Sequence, residues 1–315
     1  MASSSQSHTY ALGVDLGGTK VEAAQVDSRG DLLAGSRFRA PTGSESTSDQ
    51  LSASVARVVS HAVATLPSSA RLTGVGIGSA GPIAVNDGLV SPLNLPAWRG
   101  YPLRDEVARL VPGLPVVLRM DGECITLAEH WIGAGQGVEN LMGMVVSTGI
   151  GGGLVLGGRA VAGPTGNAGH IGHVEVGGFD EKCLCGGIGC VEAVASGPQT
   201  VAWARREGWA GSSGEEHAAS YASGDEVARA AVQRCGRAIG QAIASATALV
   251  DLDVVAIGGG FSHVTPDLFG FIRDAIAERA PFRFVAKVRV VASALSGDGP
   301  LIGAVALIHR ARLVS

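Results

Sequence analysis

The chain has 315 residues, 46% of them hydrophobic and 17% charged, which is enough apolar material for two ordinary cores in a compact fold. Its 24 Lys and Arg against 28 Asp and Glu leave a formal net charge of -4, without the broad positive field that diffuse nucleic-acid binding requires. The opening MASSSQSHTY lacks the charged start and apolar core of an export leader, and no apolar run approaches the ~18 residues of a membrane span, so a cytoplasmic protein is expected.

Residues 10 to 38, YALGVDLGGTKVEAAQVDSRGDLLAGSRF, alternate β-formers around Gly turns and predict a strand, a tight turn, a second strand and a third. No helix follows DLGGTK, and neither GxxxxGK nor GxGxxG stands there, so a phosphate would be cradled by a β-turn instead of a helix entrance. In that turn Gly17 and Gly18 allow backbone N–H groups to approach a phosphate, and Thr19 and Lys20 add donors. Asp15, at the strand end, can hold hydrated magnesium. Helical spacing with capping residues predicts helices over 47–65, 123–134, 190–207, 224–249, 265–279 and 300–312. Between them TGVGIGSAGPI and LPVVLRMDGE supply buried strands, the second ending in Asp121 at a strand-to-helix junction.

The strand-loop-strand device recurs at residues 142 to 161, MGMVVSTGIGGGLVLGGRAV, where Thr148, Gly149 and Gly151 form the second candidate cradle. Two such devices about 130 residues apart predict two related halves flanking a cleft. VDLDVVAIGGGFS runs a buried strand into Gly258, Gly259 and Gly260, a flat backbone surface suited to a nucleoside. The polar tract at 212–225 reads as a plain connection. These alternations predict an α/β architecture. A hinge near 119–123 would separate a small domain, 1–121 plus 300–315, from a large one, 122–299.

The densest chemistry lies in GNAGHIGHVEVGGFDEKCLCGGIGCVEA, residues 166 to 193, which holds three of the five cysteines. His173, Cys183, Cys185 and Cys190 supply three thiolates and an imidazole on tight Gly turns. That closed, four-ligand set suits structural zinc in loop 166–193, not zinc that activates water.

DLGGTK, GIGSAGPI, SPLNLPAW, STGIGGG, GNAGHIGH, CLCGGIGCVE and AIGGGFS together resemble the ROK family of bacterial sugar kinases and repressors, over nearly the whole chain. The resemblance implies the two-domain, ribonuclease H-like fold of actin and hexokinase, with a cleft between the domains. It also implies a zinc-supported homodimer or homotetramer that uses Mg-ATP to phosphorylate a sugar hydroxyl, with no nucleic acid or membrane partner. Asp121 stands at the position of the catalytic aspartate, and Ser79, Asn94, Met120, His170, His173 and Glu192 stand at sugar-site positions, with Trp98 behind Asn94. Two residues depart from the usual pattern. Met120 replaces an amide, and His170 replaces a carboxylate, so a hexose derivative is expected in preference to plain glucose. The alternative implied is a sugar-binding sensor with weak turnover. With about ten residues before the first strand, a DNA-binding domain is not expected.

Overall fold

The computed structural model describes residues 8–279 and 281–314; residues 1–7 of the N-terminal stretch, and Ser315 at the end of the last expected domain segment, lie outside them. The chain divides into two compact units, one of Met1–Ile132, Ala160–Ala168 and Asp298–Ser315, the other of Gly133–Arg159 and Gly169–Gly297.

In the first unit the elements run β1 (Thr9–Leu16), β2 (Lys20–Asp27), β3 (Phe38–Pro41), α1 (Ser48–Ala64), β4 (Arg71–Ser79), β5 (Ile83–Ala84), β6 (Leu89–Val90), α2 (Leu103–Leu110), β7 (Val116–Met120) and α3 (Asp121–Ile132). The five-stranded sheet has the order β3-β2-β1-β4-β7. β1 pairs antiparallel with β2 and parallel with β4. Helix α1 begins at a capping box formed by Thr47 and Gln50, which satisfies N–H groups at its first turn. Helix α2 was not expected. Its signal is the buried pair Leu103 and Val107, one helical turn apart.

The second unit repeats the layout. β8 (Leu141–Val146) and β9 (Ile150–Leu156) form an antiparallel hairpin beside β10 (Arg159–Ala160). After them come α4 (Val191–Ala195), α5 (Gly197–Arg206), α6 (Gly214–Ala222), α7 (Glu226–Val250), β11 (Val254–Gly258), α8 (Asp267–Ala277), α9 (Arg283–Ala286) and β12 (Arg289–Ala292). The sheet order is β10-β9-β8-β11-β12, with β11 parallel to both β8 and β12. The related halves expected from the two Gly loops are therefore visible in topology. The last helix, α10 (Gly299–His309), belongs to the first unit.

Two features correct the expected element map. The helix expected over 190–207 breaks at Ser196, whose extended backbone (φ -63°, ψ 156°) ends α4 and starts α5 afresh. The 212–225 tract is not a plain connection: Ser213 and Glu216 form a capping box that opens α6. The S-x-x-E spacing was the available signal.

The domain boundary also differs from the one expected at 121/122 and 299/300. Helix α3 stays with the first unit because it packs against α10, so closely that a Cβ on Gly303 would lie 1.7 Å from the Cys124 carbonyl oxygen. The segment 160–168 is held by Asn167, whose side chain accepts from Ile83 N–H at 2.9 Å and donates to Ile83 C=O at 2.8 Å.

Strand register decides which way the first unit's residues face. Leu16 opposes Val21 and Ser79, Val21 opposes Ala40, and Ser79 opposes Met120; this row is buried. The next row, Arg39–Glu22–Asp15–Gly78–Arg119, faces the other way, because successive side chains alternate across a sheet. On that second face Gly13 and Gly76 admit α10: a Cβ on Gly76 would meet the Ala304 carbonyl oxygen at 1.7 Å. No helix among the described residues is long and apolar enough to cross a membrane.

Candidate active site and metal centre

In the first unit the candidate residues gather at the carboxyl ends of parallel strands, where ligands of open α/β sheets bind. Asp15 lies near the end of β1, and Asp121 follows β7 as the first residue of α3. The Asp121 Oδ1 accepts from Gly122 N–H at 2.7 Å. The DLGGTK turn is closed by Gly17 N–H donating to Lys20 C=O at 2.9 Å, and Thr42 donates its hydroxyl to Gly17 C=O at 2.9 Å. Gly18 is required by Asn94: a Cβ there would lie 2.2 Å from the Asn94 amide nitrogen. The turn and exposed Asn94 are thus brought together by the absence of a side chain.

Electrostatics distinguish the carboxylates. Burial raises Asp15 to about 7, and the nearby Asp121 adds to the rise while Lys20 and Arg37 oppose it. Burial would also raise Glu22, yet hydrogen bonds from Lys20, Arg37 and Arg39 hold it at about 2. Sequence reasoning missed this Glu22 cluster, since its members converge only once β2 and β3 pair. Glu123 is likewise pushed to about 7 by burial, against the pull of Arg119 at 3.4 Å.

Two residues expected at the sugar, and Trp98 expected behind Asn94, lie in the apolar row or core. Met120 is 1% exposed and packs in the core of the first unit with Leu118 and Ile77. Ser79 is fully buried, and its hydroxyl donates to Ala80 C=O at 2.9 Å. Trp98 is a core anchor, stacked on Tyr101 at 3.8 Å with its indole N–H donating to Ser48.

In the second unit the Ser147–Thr148–Gly149 turn joins β8 to β9, with Ser147 N–H donating to Gly149 C=O at 2.9 Å. Thr148 is exposed at its tip. Gly151 lies within β9, whereas Gly152 and Gly153 make room for the 169–172 segment: a Cβ on Gly152 would meet Ile171 at 2.9 Å, and one on Gly169 would meet Gly153 at 2.8 Å. The glycine run therefore serves close packing as well as a loop. Gly258 ends β11, Gly259 adopts φ +96°, and Gly260 comes within contact distance of Ser147, where a Cβ would lie 3.7 Å from its hydroxyl. Both Gly turns thus meet at the carboxyl ends of the adjacent strands β8 and β11.

Glu192 is turned to this loop. Its Oε2 accepts from Ile150 N–H at 2.9 Å, and a Cβ on Gly149 would lie 2.6 Å from that oxygen. His170 stacks edge-on against His173, with ring centroids 4.6 Å apart, and burial lowers it to about 4.

The four ligand atoms of His173, Cys183, Cys185 and Cys190 lie within 4.8 Å of one another. His173 Nδ1 is 3.5 Å from Cys183 Sγ, and Cys185 Sγ is 3.6 Å from Cys190 Sγ. Zn–S bonds of about 2.3 Å and Zn–N bonds of about 2.0 Å at tetrahedral angles give edges of roughly 3.5 to 3.8 Å, so the donor set fits zinc in size and chemistry. The loop depends on glycine: Gly186 and Gly189 adopt φ +97° and +73°, and a Cβ on Gly187 would lie 2.8 Å from Cys190 Sγ. Glu181 pairs with Arg234 of α7, fastening the loop to the core.

A model of the ROK family matches residues 11–311. The chain is 33% identical to a glucokinase from Thermotoga maritima, covering 94% of this chain and 96% of that one. It is 34% identical to a kanosamine kinase from Amycolatopsis mediterranei, covering 95% of each. A crystal structure of a ROK family glucokinase from Streptomyces griseus, in complex with glucose and AMPPNP, superimposes with a TM-score of 0.81 at 29% identity, over 96% of this chain and 99% of the other. With the paired α/β sheets, the Gly turns at their strand ends and a match over nearly its whole length, the chain belongs to the ROK family and has its actin-like sugar kinase fold.

Proposed function

We propose that this ATP-dependent sugar kinase phosphorylates a hexose or hexose derivative other than plain glucose, with Asp121 as general base. The observation that carries this reading is Asp121 at the β7–α3 junction, electrostatically coupled to Asp15 beside the DLGGTK turn. A sugar hydroxyl is a weak acid and a poor nucleophile, so its attack on a phosphoryl group needs a carboxylate to accept the proton. Asp121 has that chemistry, and Asn94 is the hydroxyl ligand next to the turn. In the first unit Asp15, Gly17, Gly18, Thr19 and Lys20 are the candidates for holding phosphate and magnesium; in the second unit Thr148, Gly149, Gly151 and Gly258 to Gly260 are the candidates for holding the nucleotide. Magnesium supplies charge neutralisation on the phosphates when bound. A cation beside Asp15 favours its carboxylate form, opposing the burial that raises it to about 7.

Zinc held by His173, Cys183, Cys185 and Cys190 would stiffen the loop between His170 and Glu192, so these two keep fixed positions for a sugar. One replacement supports a substrate other than glucose: His170 offers a neutral imidazole where the family resemblance implies a carboxylate. Met120, 1% exposed and packed in the core, offers no polar group to a sugar. The similarity to a kanosamine kinase supports a derivatised hexose; the glucokinase similarities favour plain glucose as the second reading. We place the enzyme in the cytoplasm as a homodimer or homotetramer.

A coupled ADP-release screen across hexoses, amino and N-acylamino hexoses, deoxyhexoses and ketoses tests the whole reading. Absence of ADP release with every sugar would overturn the kinase. Glucose turnover equal to that of the best sugar would overturn the substrate.

A further inference from the structure

We propose that the β2–β3 edge of the first unit carries a pocket for a phosphate-bearing anion, built around Arg39. Glu22 is buried and receives Lys20 at 2.6 Å, Arg37 at 3.2 Å and Arg39 at 2.7 Å. Arg37 also donates to Asp298 at 2.6 Å. Three cations therefore gather on two carboxylates, in a chain whose overall charge is -4. Glu22 and Asp298 balance two of these three cations, which leaves one positive charge in excess among the hydrogen-bonded groups.

Arg39 is where the excess reaches solvent. Among the described hydrogen bonds it engages Glu22 through Nε alone, and its side chain is 59% exposed. The two Nη nitrogens keep the planar fork that pairs two phosphate oxygens at once. Glu22 and Arg39 are directly opposed across β2 and β3, so the guanidinium is held in place before any ligand arrives.

Thr19, Lys20, Arg39, Ala40 and Pro41 line a surface hollow of about 430 Å³. Its walls offer a hydroxyl, an ammonium and a guanidinium, with no acidic side chain. Its position at the end of the DLGGTK turn makes it an extension of the phosphate cradle along the sheet edge. Thr19 and Lys20 serve both, whereas Arg39 lies outside the proposed nucleotide set, so Arg39 separates the two. The pocket stands on the first unit alone and does not depend on which sugar the enzyme uses.

The test is calorimetric titration of the full-length protein with inorganic phosphate, pyrophosphate, tripolyphosphate and glucose 6-phosphate in separate arms, without nucleotide or magnesium. Binding in at least one arm is expected, weakening with added salt. Affinity that rises with the number of phosphates identifies a linear inorganic phosphate; a maximum with glucose 6-phosphate identifies a sugar phosphate. Arg39→Ala should weaken the best arm by about tenfold or more, since a charge-assisted bidentate contact is lost, and should leave adenosine binding unchanged. Arg39→Lys keeps a cation for Glu22 and loses the fork, so it should bind several-fold more weakly and serves if the Ala variant fails to fold. No binding in any arm, or wild-type affinity in the Arg39→Ala or Arg39→Lys protein, would overturn the proposal.

Discussion

Replacing Glu22 with Gln should destabilise the first unit in a pH-dependent way. Glu22 is 2% exposed and accepts hydrogen bonds from Lys20, Arg37 and Arg39, which hold it at about 2 instead of 4.5. That displacement corresponds to roughly 3 kcal/mol of preference for the charged form. The cations themselves reach solvent, with side-chain exposures of 38%, 33% and 59%, so screening reduces the expected effect to about 2 kcal/mol. The sign follows from linkage: a carboxyl lowered by folding contributes its full stability above its unfolded value, and loses it as pH falls from about 4.5 towards 2. Gln has the shape of the acid without its charge, so Glu22→Gln should cost about 2 kcal/mol at pH 7, or roughly 4 to 8 °C in thermal midpoint. Scanning calorimetry of both proteins from pH 7.5 to 3 checks this. A gap that stays constant below pH 4.5, or is absent at pH 7, would refute the electrostatic account.

Other perturbations probe the remaining sites. Metal analysis should find about one zinc per chain, and Cys185→Ser should lower zinc affinity by ~100-fold or more and raise hydrogen exchange across residues 173–190; unchanged exchange in the metal-free variant would remove the structural role. Asp121→Asn should reduce kcat by about 100-fold while sugar binding survives, and near-normal turnover would point to another base. His217 is fully buried with neither ring nitrogen hydrogen-bonded, and burial lowers its pKa. Below about pH 6.5 the unfolded chain takes a proton that the native ring refuses, so stability should fall with pH; the apolar His217→Phe should flatten that fall, and an identical pH profile would discount it. His170→Glu should raise glucose kcat/KM relative to the best wild-type sugar by about tenfold, measured by coupled ADP release, and no gain would discard the specificity argument.

The sequence determined whatever depends on near neighbours. His173, Cys183, Cys185 and Cys190 fall within eighteen residues, so a tetrahedral donor set needs only a Gly-rich loop, and their ligand atoms do converge. The strand pairs around DLGGTK and STGIGGG were legible from alternation and turn chemistry, and the α6 capping box was legible though unread. Tertiary structure decided what depends on register and packing between distant segments. Met120 and Asp121 are adjacent in sequence, yet Met120 joins the buried row of Leu16 and Ser79 while Asp121 opens a helix. Helix α3 joined the first unit because Gly303 lets α10 approach Cys124, and the Glu22 cluster exists because β3 pairs beside β2. A side chain's face is set by partners tens or hundreds of residues away, since one step along a strand turns it through the sheet, and local sequence carries no record of that choice.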